Sequence, residues 1–298
     1  MMSRYKAIVA SVGVAAAVVL LFRYRRKRAQ LLPPTTRIFL VRHAEREDHA
    51  RPAWAAHASR PHDSPLSEEG FDQARCTGEY LRGLTEGQTL YVRCSPLVRT
   101  VQTAACLTAA MGVPTLPIQA DDALCEKERH LRPRMMGTHK HSVQPGDRTA
   151  VAPTCDAPRG VCQPVLLRPG DLMSIHRYMD LSYRGEVCPV EFDLASGAEL
   201  NARTRQPQSS EERAQHVAGG IARLAPVGAT TVLVTHGAFA RLLGEQLLGV
   251  HLPADWANFG YGEVAQLCAT NDDCAPGNWR VVGERFAPAG DAGRSCQA

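Results

Sequence analysis

From residue 37 onward, short β-branched apolar runs alternate with longer stretches of helical periodicity. Ile38 to Val41, Leu90 to Val92, Val113 to Ile118, Val232 to Val234 and Val264 to Leu267 read as strands. Ser67, with Glu68 and Glu69 behind it, opens a helix through Phe71, Ala74 and Tyr80 towards Gly83. Ser95 as cap and Pro96 at the first position predict a second helix over Leu97 to Met111, ended by Gly112. Ser209 and Glu212 have capping-box spacing ahead of a third helix reaching Leu224, and a fourth runs from Gly237 to Leu248 before Gly249. This alternation predicts a three-layer α/β/α sandwich on a mostly parallel sheet. Residues 132–208, rich in Pro, Gly and polar side chains, read as an insertion over one edge of that sheet, and residues 286–298 as a flexible tail.

The first thirty residues follow another pattern. Ala7 to Phe22 carries no charge, and at 1.5 Å per residue it spans about 24 Å of a hydrocarbon layer about 30 Å thick. Tyr5 and Tyr24 extend it to the interfaces, where Arg4, Lys6, Arg23 and Arg25 can snorkel. The expectation is an N-terminal transmembrane helix within an anchor and basic flank over 1–30, then a linker at 31–36 and a main domain over 37–285. A cleaved signal peptide would call for a small-residue cleavage site, where this run ends in bases. A matrix presequence would intersperse its arginines with the apolar positions. Positive-inside bias puts the main domain in the cytosol, on the mitochondrial outer membrane or the endoplasmic reticulum.

Charge fits that division. The chain's +4 falls to −3 once the seven Lys and Arg of the first thirty residues are set aside, leaving 27 bases against 30 acids. Nucleic acid is therefore not an expected partner. The ten cysteines show no metal-finger spacing and read as reduced core residues, consistent with a cytosolic domain. His139 and His141 have no accompanying cluster and read as solvated, so neither a metal nor another cofactor is expected.

The chemistry begins where the first strand ends. Arg42, His43, Ala44, Glu45, Arg46, Glu47 and Asp48 follow Ile-Phe-Leu-Val at once, on the carboxyl edge where open α/β sheets bind ligands. Val232-Leu-Val-Thr leads in the same way to His236 and Gly237. Arg99 falls near the start of the second helix, a position that favours an anion. Two histidines and several cations around one crevice imply an anionic substrate. Arg46 and Asp48 read equally well as a surface ion pair.

These residues resemble the histidine phosphatase superfamily, the phosphoglycerate-mutase-like proteins. The elements stand in family order: Arg42-His43-Ala44; Pro65-Leu66-Ser67-Glu68-Glu69-Gly70 with Gln73 and Ala74; Ser95-Pro96-Leu97 with Arg99 and Gln102-Thr103-Ala104; and Thr235-His236-Gly237. Arg42 to Arg46 followed by Asp48 looks like the phosphatase branch of the suppressors of T-cell receptor signalling and ecdysteroid phosphate phosphatase. The Ser-x-Trp-Asn continuation of the glycolytic mutases is lacking. Leu124-Cys125-Glu126 resembles the place of the family's acid, with Glu128 as its rival.

The resemblance implies a metal-independent phosphomonoester hydrolase. His43 attacks phosphorus and carries the phosphoryl group, and Glu126 protonates the leaving oxygen, then takes a proton from the incoming water. Arg42, Arg99 and His236 offset the charge of the equatorial oxygens, and Arg46 binds the outer substrate. The expected substrate is a phosphorylated small molecule or a phosphoprotein, and residues 7–22 expect a membrane. The other readings are a non-catalytic scaffold or phosphoprotein-binding module on the same fold, and a phosphomutase.

Overall fold

The strand Arg37–Arg42 (β1) sends successive side chains to opposite cores. Ile38 and Leu40 are buried in one, Phe39 and Val41 in the other, so both faces of the sheet have to be covered. The computed structural model that shows this describes residues 36–58, 61, 63–126, 172–173, 175–180, 190–193, 198–201, 206–252, 259–269 and 274–288. The chain divides into Met1–Thr35 and Thr36–Ala298, and every described strand and helix belongs to the second unit.

After β1 come the helices Glu47–Ala50 (α1) and Glu68–Thr85 (α2), the strand Leu90–Cys94 (β2), the helix Val98–Ala110 (α3) and the strand Ile118–Ala120 (β3). The hairpin Val190–Asp193 (β4) and Ala198–Asn201 (β5) follows, then the helices Ser210–Gly219 (α4) and Ile221–Leu224 (α5). Thr230–Thr235 (β6), Gly237–Leu248 (α6), Val264–Ala269 (β7) and Trp279–Val281 (β8) complete the order. Six strands form one sheet in the order β3-β2-β6-β1-β7-β8. The pairs β3/β2, β2/β6 and β6/β1 are parallel, whereas β7 runs antiparallel to both β1 and β8, so the sheet is mixed. Leu81 of α2 and Val101, Ala104 and Leu107 of α3 pack on one face; Ala214 and Val217 of α4 and Phe239 and Leu243 of α6 pack on the other. This is the α/β/α layering that the periodicity predicts.

The departures have local causes. The third strand starts at Ile118 rather than Val113, because Pro114 and Pro117 have no N–H for a ladder and Leu116 N turns back to Val113 O at 3.0 Å. The helix expected to reach Leu224 breaks at Gly220, although the Ser209/Glu212 capping box forms as predicted. Ser95 does not cap α3. Leu97 is the N-cap residue, and the Asp63 carboxylate accepts from Val98 N at 2.8 Å in its place. β8 and the β4/β5 hairpin were not anticipated. Cys76, read as a reduced core cysteine, is disulfide-bonded. It sits half-buried on α2, off the packed face, and pairing between remote cysteines leaves no mark in spacing. Cys94, Cys106, Cys125, Cys268 and Cys274 stand outside any disulfide.

The anchor at 1–30, the linker up to residue 35, Glu128, His139, His141, most of 132–208 and residues 289–298 lie outside the described residues. Among the described residues no helix is long and apolar enough to cross a membrane.

Candidate active site

Three chain segments leave the sheet at the same edge. β1 and β6 are neighbours in parallel register, Arg42 opposite Thr235, and β2 flanks β6 with Cys94 opposite Val234. The residues that follow are thus His43, His236 and Ser95, with His43 N bonded to Thr235 O at 2.9 Å and Ser95 N to Val234 O at 3.0 Å.

The turn after β1 pairs its backbone only in an isolated bridge, Arg46 opposite Leu66, and side chains supply much of the rest of its support. Ala44 N donates to Thr103 Oγ1 at 3.1 Å, Glu45 N to Gln73 Oε1 at 3.0 Å, and Leu66 N to Gln102 Oε1 at 2.8 Å. Ser67 Oγ donates to Glu45 Oε2 at 2.7 Å and accepts from Gly70 N at 3.0 Å, so one hydroxyl caps α2 and ties it to the turn. The approach is close enough that a Cβ on Gly70 would lie 2.2 Å from Glu45 O. The scattered motif residues of the sequence are therefore the scaffold of one turn.

Within it His43 is 2 % exposed. Its Nδ1 lies 2.8 Å from Ala44 O, an oxygen that can only accept, so Nδ1 carries the proton and Nε2 keeps its lone pair. Burial first, then the charges of Arg99, His236, Arg42 and Arg46, hold its pKa well below the ordinary histidine value. The ring centroid of His236 is 5.2 Å away. His236 is fully buried, with Nε2 3.0 Å from Ser95 Oγ, and Nδ1 3.3 Å from an Arg99 NH2 and 3.5 Å from Glu126 Oε2. Arg99, also fully buried, lies 3.9 Å from Glu126 Oε2 and 3.9 Å from Asp63 Oδ1. Arg42 donates to Phe259 O and stacks on Tyr261, its guanidinium carbon 4.0 Å from the ring centroid. A Cβ on Gly237 would come within 3.1 Å of the Arg42 side chain, so a glycine at the start of α6 leaves room for it.

The structure thus brings His43, His236, Arg42, Arg99 and Glu126 to one place. Arg46 is buried nearby and is gripped in two-pronged fashion by Asp48, at 2.9 and 2.8 Å, which is the ion-pair alternative; its charge still bears on His43. Residues not foreseen are Ser95, Asp63, Tyr261, Arg213 and Glu199. Tyr261 has its ring centroid 5.7 Å from that of His43 and its hydroxyl against His49 Nδ1. Arg213 is buried with Ala214, Val217 and Ala218 on α4, and an arginine in the apolar register of a helix is a signal the sequence did offer.

His43, Glu126 and His236 place one donor atom each within 4.8 Å of one another, as a metal site would. Arg99 NH2 lies 3.3 Å from His236 Nδ1 and 3.9 Å from Glu126 Oε2, where its charge would repel a cation. The set therefore suits an anion.

A model of the histidine phosphatase superfamily (branch 1) matches residues 38–144. No curated protein matches the chain by sequence. Among solved structures, the ecdysone phosphate phosphatase of Bombyx mori in complex with tungstate is similar at 17 % identity and a TM-score of 0.54, over 88 % of this chain and 96 % of that one. A mycobacterial hydrolase is similar at 20 % identity and a TM-score of 0.47, over 87 % and 94 %. A mycobacterial glucosyl-3-phosphoglycerate phosphatase is similar at 20 % identity and a TM-score of 0.44, over 83 % and 97 %.

Proposed function

We propose that the chain, whose residues 38–144 match a model of the histidine phosphatase superfamily, is a metal-independent phosphomonoesterase working through a phosphohistidine at His43. One observation carries the reading: the buried His43 is pinned through Nδ1 to Ala44 O and kept neutral, with Nε2 available beside Arg42, Arg99 and His236. In the first step Nε2 forms a bond to phosphorus as the ester oxygen departs, and Glu126 gives that oxygen its proton. In the second, Glu126 takes a proton from water, whose oxygen attacks the phosphohistidine and returns His43 to its neutral state. Arg42 and Arg99 supply fixed positive charge for the equatorial oxygens, with His236 lining the same pocket. The similar fold of an ecdysone phosphate phosphatase accords with this chemistry. Arg46, held by Asp48, adds positive charge beside the pocket, and the substrate is a phosphorylated small molecule or a phosphoprotein.

The test is a screen of the full-length protein on phosphotyrosine peptides, sugar phosphates, nucleotides and lipid phosphates with EDTA present. Turnover with acid-labile, base-stable labelling of His43 is expected. A bound phosphopeptide without turnover supports the scaffold reading instead, and phosphoryl return to a second hydroxyl supports the mutase.

Residues 7–22 are proposed as a membrane tether with the catalytic domain in the cytosol. The opposite orientation is favoured by one observation, the disulfide at Cys76, since disulfides persist in oxidising compartments. Protease added outside intact organelles should digest a cytosolic domain, whereas protection until lysis, with Cys76 unreactive before reduction, establishes the other side.

A further inference from the structure

Glu126 follows the 3-10 turn Asp122–Leu124 and belongs to no strand or helix, so nothing in the ladder fixes its side chain. The carbonyls around it point into the protein, where each needs a donor. One buried side chain supplies them. Arg213 NH1 donates to Ala123 O at 3.0 Å and to Cys125 O at 2.9 Å, and NH2 donates to Glu126 O at 3.4 Å. Cys125 O and Glu126 O belong to the two peptide planes that flank the Glu126 Cα. Holding both planes sets the direction of its Cα–Cβ bond. Thr235, the residue before His236, donates to Leu124 O at 2.6 Å and ties the same segment to the second histidine.

Arg213 is itself held in place. Its Nε lies 2.7 Å from Glu199 Oε1 and its NH2 3.3 Å from Oε2, while the Phe239 ring lies under the guanidinium at 4.3 Å. Glu199 belongs to the β4/β5 hairpin and accepts from Ser210 Oγ at 3.2 Å. Arg213 and Glu199 are both buried, and neither is among the side chains that surround His43. A planar guanidinium with five donors can grip three carbonyls and a carboxylate at once, which a lysine ammonium cannot.

We infer that Arg213, seated on Glu199, is the positioning residue that aims the Glu126 carboxyl at the phosphoryl pocket. The inference rests on the reading of Glu126 as the acid, and it makes the β4/β5 hairpin a part of the catalytic apparatus.

The experiment compares an alkyl phosphate, which needs an acid, with p-nitrophenyl phosphate, whose phenolate leaves unaided. It uses full-length Arg213→Lys, Glu199→Gln, Glu126→Gln and the two double variants, all checked for folding by circular dichroism. Glu126→Gln should lower kcat far more on the alkyl ester. Arg213→Lys and Glu199→Gln should lose at least about tenfold more kcat on the alkyl ester than on the aryl one, with KM little changed. That extra loss should vanish in the Glu126→Gln background. Equal losses on both esters, or losses that multiply with that of Glu126→Gln, would overturn the inference by showing a purely structural pair. If Glu126→Gln itself treats the two esters alike, the acid assignment fails and takes the inference with it, an outcome distinct from the first. Should Arg213→Lys not fold, the isosteric Glu199→Gln decides alone.

Discussion

The two sides of the proposed catalytic site are built by different means. On the nucleophile side, His43 and His236 extend adjacent parallel strands whose register is fixed by main-chain hydrogen bonds. Opposite it, Glu126 lies on an irregular segment held by the side chains of Arg213, 87 residues from Glu126, and Thr235, 111 residues from Leu124. The first side is robust because every residue of the ladder contributes to it. The second depends on a few polar contacts, and its precision rests on their being complete.

The largest break in this comparison is chemical. His43→Ala should lower kcat by at least about 10⁴-fold and abolish phosphoenzyme labelling, as expected for loss of a covalent nucleophile. Wild-type labelling in that variant would remove His43 from its role. Glu126→Gln should cost about 10²- to 10⁴-fold on alkyl phosphates and much less on p-nitrophenyl phosphate; the ratio of kcat values on the two esters checks it.

The next effects are on stability. Gly70→Ala would drive a methyl group against Glu45 O, and about 1–3 kcal/mol of destabilisation is expected by urea unfolding, with activity falling as the His43 turn shifts. Unchanged stability would mean that α2 and the turn do not constrain each other. Ser209→Ala removes the cap of the helix that carries Arg213, and should cost about 1 kcal/mol while leaving kcat near wild type.

The smallest expected effect is a flat one. Because burial and neighbouring cations depress the His43 pKa, kcat/KM should show no acid break near the ordinary histidine value of about 6.5. For stability the sign is clear. Below about 6.5 an unfolded His43 takes up a proton that the folded one refuses, so this group's contribution is present above that pH and declines as pH falls towards the depressed folded value. A His43 ring that titrates near 6.5 by NMR would show the nucleophile to be unperturbed.

What was legible in the sequence tracks the same division. Arg42, His43 and His236 could be found because strands announce themselves by β-branched runs and their carboxyl ends share an edge. The helices at Ser67 and Ser209 could be found because capping is local. Ser95 misleads for the same reason: Ser-Pro looks like a helix start, yet a tertiary contact with His236 claims the hydroxyl and Asp63, far back in the chain, takes over the cap. The reversal of β7 was not legible, since a short run such as Val264 to Leu267 does not show its direction. Arg213, Glu199 and Tyr261 act through contacts across 14 to more than 200 residues, and no local pattern records such distances.

The parallel register of β1 and β6 has one more consequence. Neighbouring strands stand about 4.8 Å apart in any sheet, and the His43 and His236 rings stand 5.2 Å apart. The backbone thus sets the spacing from which the two imidazoles start, while the contacts of His43 Nδ1 with Ala44 O and of His236 Nε2 with Ser95 Oγ orient the rings. Thinning the packing on either face changes how long the sheet survives before it changes the gap between the rings, so a weakened protein should lose working molecules rather than make every molecule work less well.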